Sequence, residues 1–239
     1  MQTGRYQVRL AENSLDIRAA QQLRQKAFRA GQSGIDQDRF DEDCRHMLVE
    51  DTVTGRLVCC FRVLAIQGGQ QIENSYSAQY YDLSALHVYS GKMLEVGRFC
   101  IDPDVFDADI LRVAWGAMAN LVEQENIGLL FGCSSFAGTE TRIYMDSFAM
   151  LKARYLAPQR LLPKVKAPDV FRFAARLRRK PDLRRALRTM PPLLRTYLVM
   201  GGWVADHAVV DRDMNTLHVF TGLEIRAIPP ARARSVRGF

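Results

Sequence analysis

The chain has 239 residues, 48% of them hydrophobic, and a formal charge of +7 at neutral pH. That is ample apolar material for one compact core, and no apolar run reaches the roughly 18 residues a membrane span needs. The opening MQTGRYQVRLAENS holds no apolar stretch of a secretory signal, so the expectation is a cytoplasmic protein. Five cysteines, two of them adjacent and none in a CxxC pair, read as reduced and mostly buried thiols. The positive charge is local. Between Arg160 and Arg188 eleven basic residues meet only Asp169 and Asp182, a surplus of +9, and the remainder is slightly acidic.

In chain order, Tyr6 to Leu10 alternates like a strand, and Asn13 or Ser14 caps a helix with an apolar stripe of Leu15, Ala19, Leu23, Ala27 and Phe28. Gly31 and Gly34 end it, and an aspartate-rich loop follows. Met47 to Glu50 and Arg56 to Leu64 flank the turn signal DTVTG and predict an antiparallel hairpin. Gln67 to Val88 reads as a tyrosine-rich insertion in which SAQYYDLSAL suits a short helix. Met93 to Ile101 is the next strand, Ile110 to Gln124 a helix, Leu129 to Cys133 a short strand and Thr139 to Leu156 a helix. The core order is thus β-α-β-β-β-α-β-α. After the basic segment, strand-like Tyr197 to Val210 and Leu217 to Phe220 complete the sheet, and PPARARSVRGF reads as a frayed tail.

Several blocks carry a resemblance. Arg24-x-x-x-Phe28, Asp38-Arg39-Phe40-Asp41, Phe61-Arg62-Val63-Leu64 and Glu95-x-x-Arg98-Phe99 resemble, in order, the signature of acyl-homoserine lactone synthases. FDEDCRHMLVED, LEVGRFCIDPD, LLFGCSSFAGT and MPPLLRTYLVMGGWVADHAVVDRDMNTLHVF are closer still to ornithine-acyl-carrier-protein N-acyltransferases, over roughly residues 15 to 221. The chain departs from that branch at Arg45, where an acidic residue is expected, and at Met47, where leucine is usual. It lacks the tryptophan that lactone synthases carry after the first helix, having AGQSGI there, which favours the ornithine branch. The resemblance implies an α/β (α+β) class and a GNAT-like acyltransferase fold, with a central mixed, mostly antiparallel sheet flanked by helices. It implies a single domain over residues 1–228, a basic helical insertion at about 160–190 and a tail at 229–239.

The implied reaction moves a 3-hydroxyacyl group from acyl carrier protein to the α-amine of ornithine. The enzymatic alternatives are a lactone synthase or an N-acyltransferase for another amino acid; outside enzymes, a membrane or nucleic-acid binder that kept the fold. An amine attacks a thioester only when neutral, so the site needs a base and a means of stabilising the oxyanion. Glu95 is the candidate base and Arg98 its catalytic neighbour, their bland alternative being a structural ion pair. Residues 95 and 98 point to opposite faces of a regular strand, and a bulge seated at Gly97 would bring both to one cleft. Arg24 or Arg62 suits the acceptor carboxylate, and Asp38 and Asp41 its distal amine. Phe28, Ser134 and Ser135 complete the candidate substrate-binding set.

The donor follows from PDVFDADIL, where coenzyme A enzymes place a glycine-rich turn that cradles pyrophosphate. Asp104, Asp107 and Asp109 would repel that group, so the donor is read as the phosphopantetheine arm of acyl carrier protein, with no bound cofactor. Carrier proteins are acidic. Arg172, Arg176, Arg178, Arg179, Lys180, Arg184, Arg185 and Arg188 offer a matching surface. The apolar residues among them, Phe171, Ala174, Ala175, Leu177, Leu183, Ala186 and Leu187, have helical spacing and equally suit an anionic bilayer on the inner face of the cytoplasmic membrane, or plain core packing. The segment lacks the interleaved aromatics of a nucleic-acid reader. GCSSF lacks the final glycine of a nucleophile elbow, and His46, His87, His207 and His218 lack metal-ligand spacing, so no metal is expected.

Overall fold

The computed structural model describes residues 2–229; positions 230–239 of the expected tail lie outside the described residues. The strands are β1 (Gln2–Thr3), β2 (Tyr6–Leu10), β3 (Arg45–Asp51), β4 (Leu57–Ile66), β5 (Tyr81–Asp82), β6 (Lys92–Ile101), β7 (Ile127–Ala137), β8 (Lys164–Val165), β9 (Val170–Phe171), β10 (Trp203–Val204), β11 (Ala208–Asp211) and β12 (Thr216–Glu224). The α-helices are α1 (Ser14–Phe28), α2 (Ala108–Gln124), α3 (Met145–Arg154), α4 (Phe173–Arg176), α5 (Leu183–Thr189) and α6 (Pro192–Val199). The core order β2-α1-β3-β4-β6-α2-β7-α3 is the one the sequence predicts, and the sheet is mostly antiparallel. The chain divides into two compact units, one of residues 2–65 and 94–127, the other of residues 66–93 and 128–229.

In the first unit β1, β2, β3, β4 and β6 lie side by side. Asn13 caps α1 by accepting from the backbone N–H groups of Leu15 and Asp16. Ala20 and Leu23 of α1 pack on Leu48, Cys60 and Cys100, so strand alternation turns Val49 and Cys59 to the other face. The predicted stripe is only partly the buried one. Leu15 is exposed, whereas Gln21, Arg24 and Gln25 are buried, because the inward face of α1 meets the Asp36 and Asp41 carboxylates as well as the apolar cluster. Asp107 caps α2 and accepts a 2.6 Å hydrogen bond from the Tyr6 hydroxyl, which ties α2 to β2.

In the second unit β7 and β12 form a ladder from Ala137–Thr216 to Leu129–Glu224, with β11 and β10 also on β12 and β9 on β11. Phe136, Phe148, Phe173, Leu194, Leu198 and Val204 form its core. Three expectations are corrected here. The segment 197–210 is not one strand: α6 occupies Pro192–Val199, since Pro192 starts a helix without losing a needed N–H, and Gly201, at φ +97°, ends it. SAQYYDLSAL is not one helix but two 3-10 turns on either side of β5. The basic stretch is likewise no single helix, because Pro181 separates α4 from α5. Phe173, Leu177 and Ala186 bury themselves in the core, while Leu183 and Leu187 stay exposed. Among the described residues no helix is long and apolar enough to cross a membrane.

His218 is enclosed in this unit beside Tyr81, whose hydroxyl donates to the His218 carbonyl at 2.9 Å and lies 3.2 Å from its Nδ1. Burial, with the neighbouring charge of His207, pushes the imidazole down from 6.5 to about 3. A base whose folded pKa is depressed binds its proton only on unfolding, so it favours the folded state above pH 6.5 and loses that contribution as pH falls toward 3. The fold is therefore expected to be about 2 kcal/mol less stable at pH 5 than at pH 8 through this residue. Urea unfolding at the two pH values checks it. His218→Gln should remove most of the difference.

Candidate active site

Four arginines and three aspartates of the first unit form one buried network. Arg24, almost free of solvent on α1, donates from Nε to Asp36 Oδ2 at 2.7 Å and from Nη1 to Asp41 Oδ1 at 2.7 Å. Arg62 on β4 donates from Nη1 to Asp38 Oδ1 and Asp41 Oδ1, both at 2.5 Å, and from Nη2 to Asp38 Oδ2 at 2.8 Å. Arg98 on β6 donates from Nε to Asp36 Oδ2 at 3.0 Å and from Nη2 to Asp38 Oδ2 at 2.9 Å. Arg29 reaches Asp36 Oδ1 at 3.3 Å, and Gln21 donates to Asp41 Oδ2 at 3.0 Å.

The loop supplying the carboxylates is folded for the task. Asp38 and Asp41 form a reciprocal capping box around the 3-10 turn Arg39–Asp41, which fixes both carboxylates relative to the backbone. His46 Nε2 donates to the Asp41 carbonyl at 3.0 Å, and burial holds its pKa below the usual value, so the ring stays neutral. For Asp41, burial pushes the pKa up, but hydrogen bonds and charge from Arg24, Gln21 and Arg62 outweigh it and hold the carboxyl at about 2. Asp36 is likewise held below its ordinary value: burial opposes ionisation, and the charges of Arg98 and Arg24 prevail.

Glu95 is buried on β6, and its charge acts on Cys44, as do those of Asp38, Asp41 and Arg62. Burial, helped by those carboxylates, pushes the Cys44 thiol up to about 12, so it is protonated at neutral pH and unsuited to attack a thioester. Strand alternation breaks where the sequence analysis places a bulge, but one residue later. Arg98, not Gly97, has the left-handed φ of +51°, and Gly97 lies over the Arg62 side chain, where an added Cβ would be 3.6 Å from Nε.

Arg24, Arg62, Asp38, Asp41 and Arg98 are thus joined by hydrogen bonds, and Glu95 acts on the same Cys44 thiol as Arg62, Asp38 and Asp41. Phe28 is half-buried against the apolar cluster under α1. In the second unit, Ser134 is buried and accepts from the Thr221 hydroxyl at 2.9 Å, while Ser135 is exposed. Arg45, the departure noted above, turns from the network to pair with Glu125 at the end of α2 at 2.5 and 3.1 Å. Sequence reasoning missed Asp36, Arg29, Gln21 and His46. The spacing Asp36-x-Asp38-x-x-Asp41, three acids following an arginine-bearing helix face, was the available signal for the first.

An Acetyltransferase (GNAT) domain model matches residues 20–116, the stretch that holds the entire network. FeeM, an N-acyl amino acid synthase from uncultured soil microbes, has the same fold at a TM-score of 0.54, with 11% identity over 94% of this chain and 93% of that one. The fold is that of a GNAT-like acyltransferase. The chain is 32% identical to the L-ornithine N(alpha)-acyltransferase of Rhodobacter capsulatus, covering 93% of this chain and 91% of that protein. It is 30% identical to the Brucella abortus protein of the same name, over 94% and 86%. The chain belongs to the L-ornithine N(alpha)-acyltransferase family and is an N-acyltransferase.

Proposed function

We propose that the chain moves a 3-hydroxyacyl group from acyl carrier protein to the α-amine of L-ornithine, giving a lyso-ornithine lipid. The observation that carries this reading is the buried carboxylate of Glu95 on β6, which acts on the same Cys44 thiol as Arg62, Asp38 and Asp41 of the network, in a chain whose relatives bear the ornithine acyltransferase name. Glu95, directly or through one water, takes a proton from the α-ammonium. The neutral nitrogen adds to the thioester carbonyl, and the backbone at the Gly97–Arg98 irregularity offers an N–H to the oxyanion. Collapse of the tetrahedral intermediate breaks the C–S bond and forms the amide; the nitrogen's second proton passes to the departing pantetheine sulfur, and Glu95 gives its own proton up to solvent.

Arg24 and Arg62 are deeply buried and engaged by Asp36, Asp38 and Asp41, so the acceptor carboxylate falls to Arg98, whose side chain is 12% exposed. Asp38, at 22% the most exposed acid of the network, is the group for the distal ammonium. Incubation with hydroxyacyl carrier protein and a panel of amines, followed by product mass, tests the reaction: acyl-ornithine is expected, and a lactone without acyl-ornithine would overturn it.

A carrier-protein donor is supported by the start of α2. Asp107 caps that helix itself, accepting from the Asp109 N–H, so the N-terminus is already served by a carboxylate and is ill suited to a pyrophosphate. Its docking face would be the exposed cations of the basic stretch. Arg179 pairs with Asp146, while no ion pair among the described residues engages Arg172, Arg176, Lys180, Arg184 or Arg188. Replacing Arg176, Lys180, Arg184 and Arg188 by glutamate is expected to raise KM for carrier protein by about tenfold and to leave KM for ornithine unchanged. The exposed Leu183 and Leu187, one turn apart on α5, would also suit an anionic bilayer. Binding of vesicles rich in phosphatidylglycerol, lost in the same variant with carrier KM unaltered, would assign the face to lipid.

A further inference from the structure

We infer that Asp36 is a positioning residue for acyl transfer, acting through Arg98. The inference rests on the reading that Arg98 meets the acceptor carboxylate. One Asp36 oxygen accepts from both Arg24 Nε at 2.7 Å and Arg98 Nε at 3.0 Å, and the other accepts from Arg29 at 3.3 Å. The Asp36 backbone N–H is itself anchored on the Gln21 carbonyl of α1 at 3.3 Å. Asp36 therefore links Arg98 on β6 to Arg24 of α1 and to Arg29, the residue that caps the end of that helix.

Arg98 needs such a link. Its backbone is in the left-handed region, uncommon for a side chain bearing a Cβ, and its guanidinium sits on a long flexible stem. Asp38, a further partner, is the more exposed acid and shares the same Oδ2 with Arg62. Asp36, only 2% exposed, fixes the Nε edge of the guanidinium, and Asp38 receives the Nη2 corner. With the Asp36 contact the Nε edge of the guanidinium is set before acceptor arrives; without it that edge is released. A misplaced clamp weakens acceptor binding and leaves the donor side untouched.

Steady-state kinetics with ornithine and hydroxyacyl carrier protein, on Asp36→Asn, Arg98→Gln and the double variant, test the role. Asp36→Asn is expected to raise KM for ornithine about tenfold with KM for carrier protein unchanged, and the double variant to be no worse than Arg98→Gln alone. An unchanged ornithine KM, or effects that multiply in the double variant as a separate structural defect would, overturns the role. Should Asp36→Asn fail to fold, Asp36→Glu retains the charge but moves the carboxylate by one methylene, and its ornithine KM is expected to rise as well. Arg98→Gln with an unchanged ornithine KM would sink the acceptor reading itself.

Discussion

Replacing Arg24 by leucine is expected to destabilise the fold by about 3–5 kcal/mol, the usual cost of removing one member of a buried ion network. Leucine is close in apolar volume, so lost packing is the smaller part. The larger part is what remains: Asp36 and Asp41, nearly solvent-free, lose two charge-assisted hydrogen bonds at 2.7 Å each. Asp36 keeps Arg98 and Arg29, and Asp41 keeps Arg62 and Gln21, but each buried carboxylate must then stay charged with less compensation or take up a proton. Thermal unfolding should show a melting temperature lower by about 10 °C for a chain of this length. Adding Asp41→Asn to Arg24→Leu should recover part of the loss, because it removes one buried charge that has lost part of its compensation. If Arg24→Leu melts within 2 °C of the parent, by the same scale, the network is not what holds α1 to the acidic loop.

Glu95→Gln is expected to lower kcat by about 10²–10⁴-fold with a normal melting temperature and little change in KM for ornithine. Glutamine keeps the shape and the hydrogen-bonding reach of the side chain but accepts no proton. The neighbouring Cys44 offers no replacement, because burial and the surrounding carboxylates keep its thiol at about 12. Ser134 is engaged with Thr221, so an acyl-serine route is not prepared either.

The elements that hold the site were legible because their signals are local. Asn13 stands before a run of helix formers, DTVTG separates two apolar runs, and Asp107 precedes the periodic apolar stretch of α2. The site residues followed from the ordered motif blocks rather than from any pattern of period. Asp36 escaped because an acid in a glycine-flanked loop reads as solvated, and only its distance to three arginines shows otherwise. The stripe assigned to α1 failed for a related reason: periodicity assumes an apolar interior, and this helix buries Gln21 and Arg24. The misreading of 197–210 has another cause. TYLV is as rich in β-branched and aromatic residues as a strand, and tertiary packing of Leu194 and Leu198 decided for a helix.

The central claim is that Glu95 unloads the acceptor amine. It is tested most directly by single-turnover acyl transfer to ornithine, comparing the parent with Glu95→Gln from pH 7 to pH 10. The account predicts a deficit of at least about 100-fold at pH 7 that shrinks as pH rises toward 10 through the amine's own pKa, where substrate arrives already neutral. A variant within about threefold of the parent at pH 7, or a deficit that does not change with pH, would contradict it.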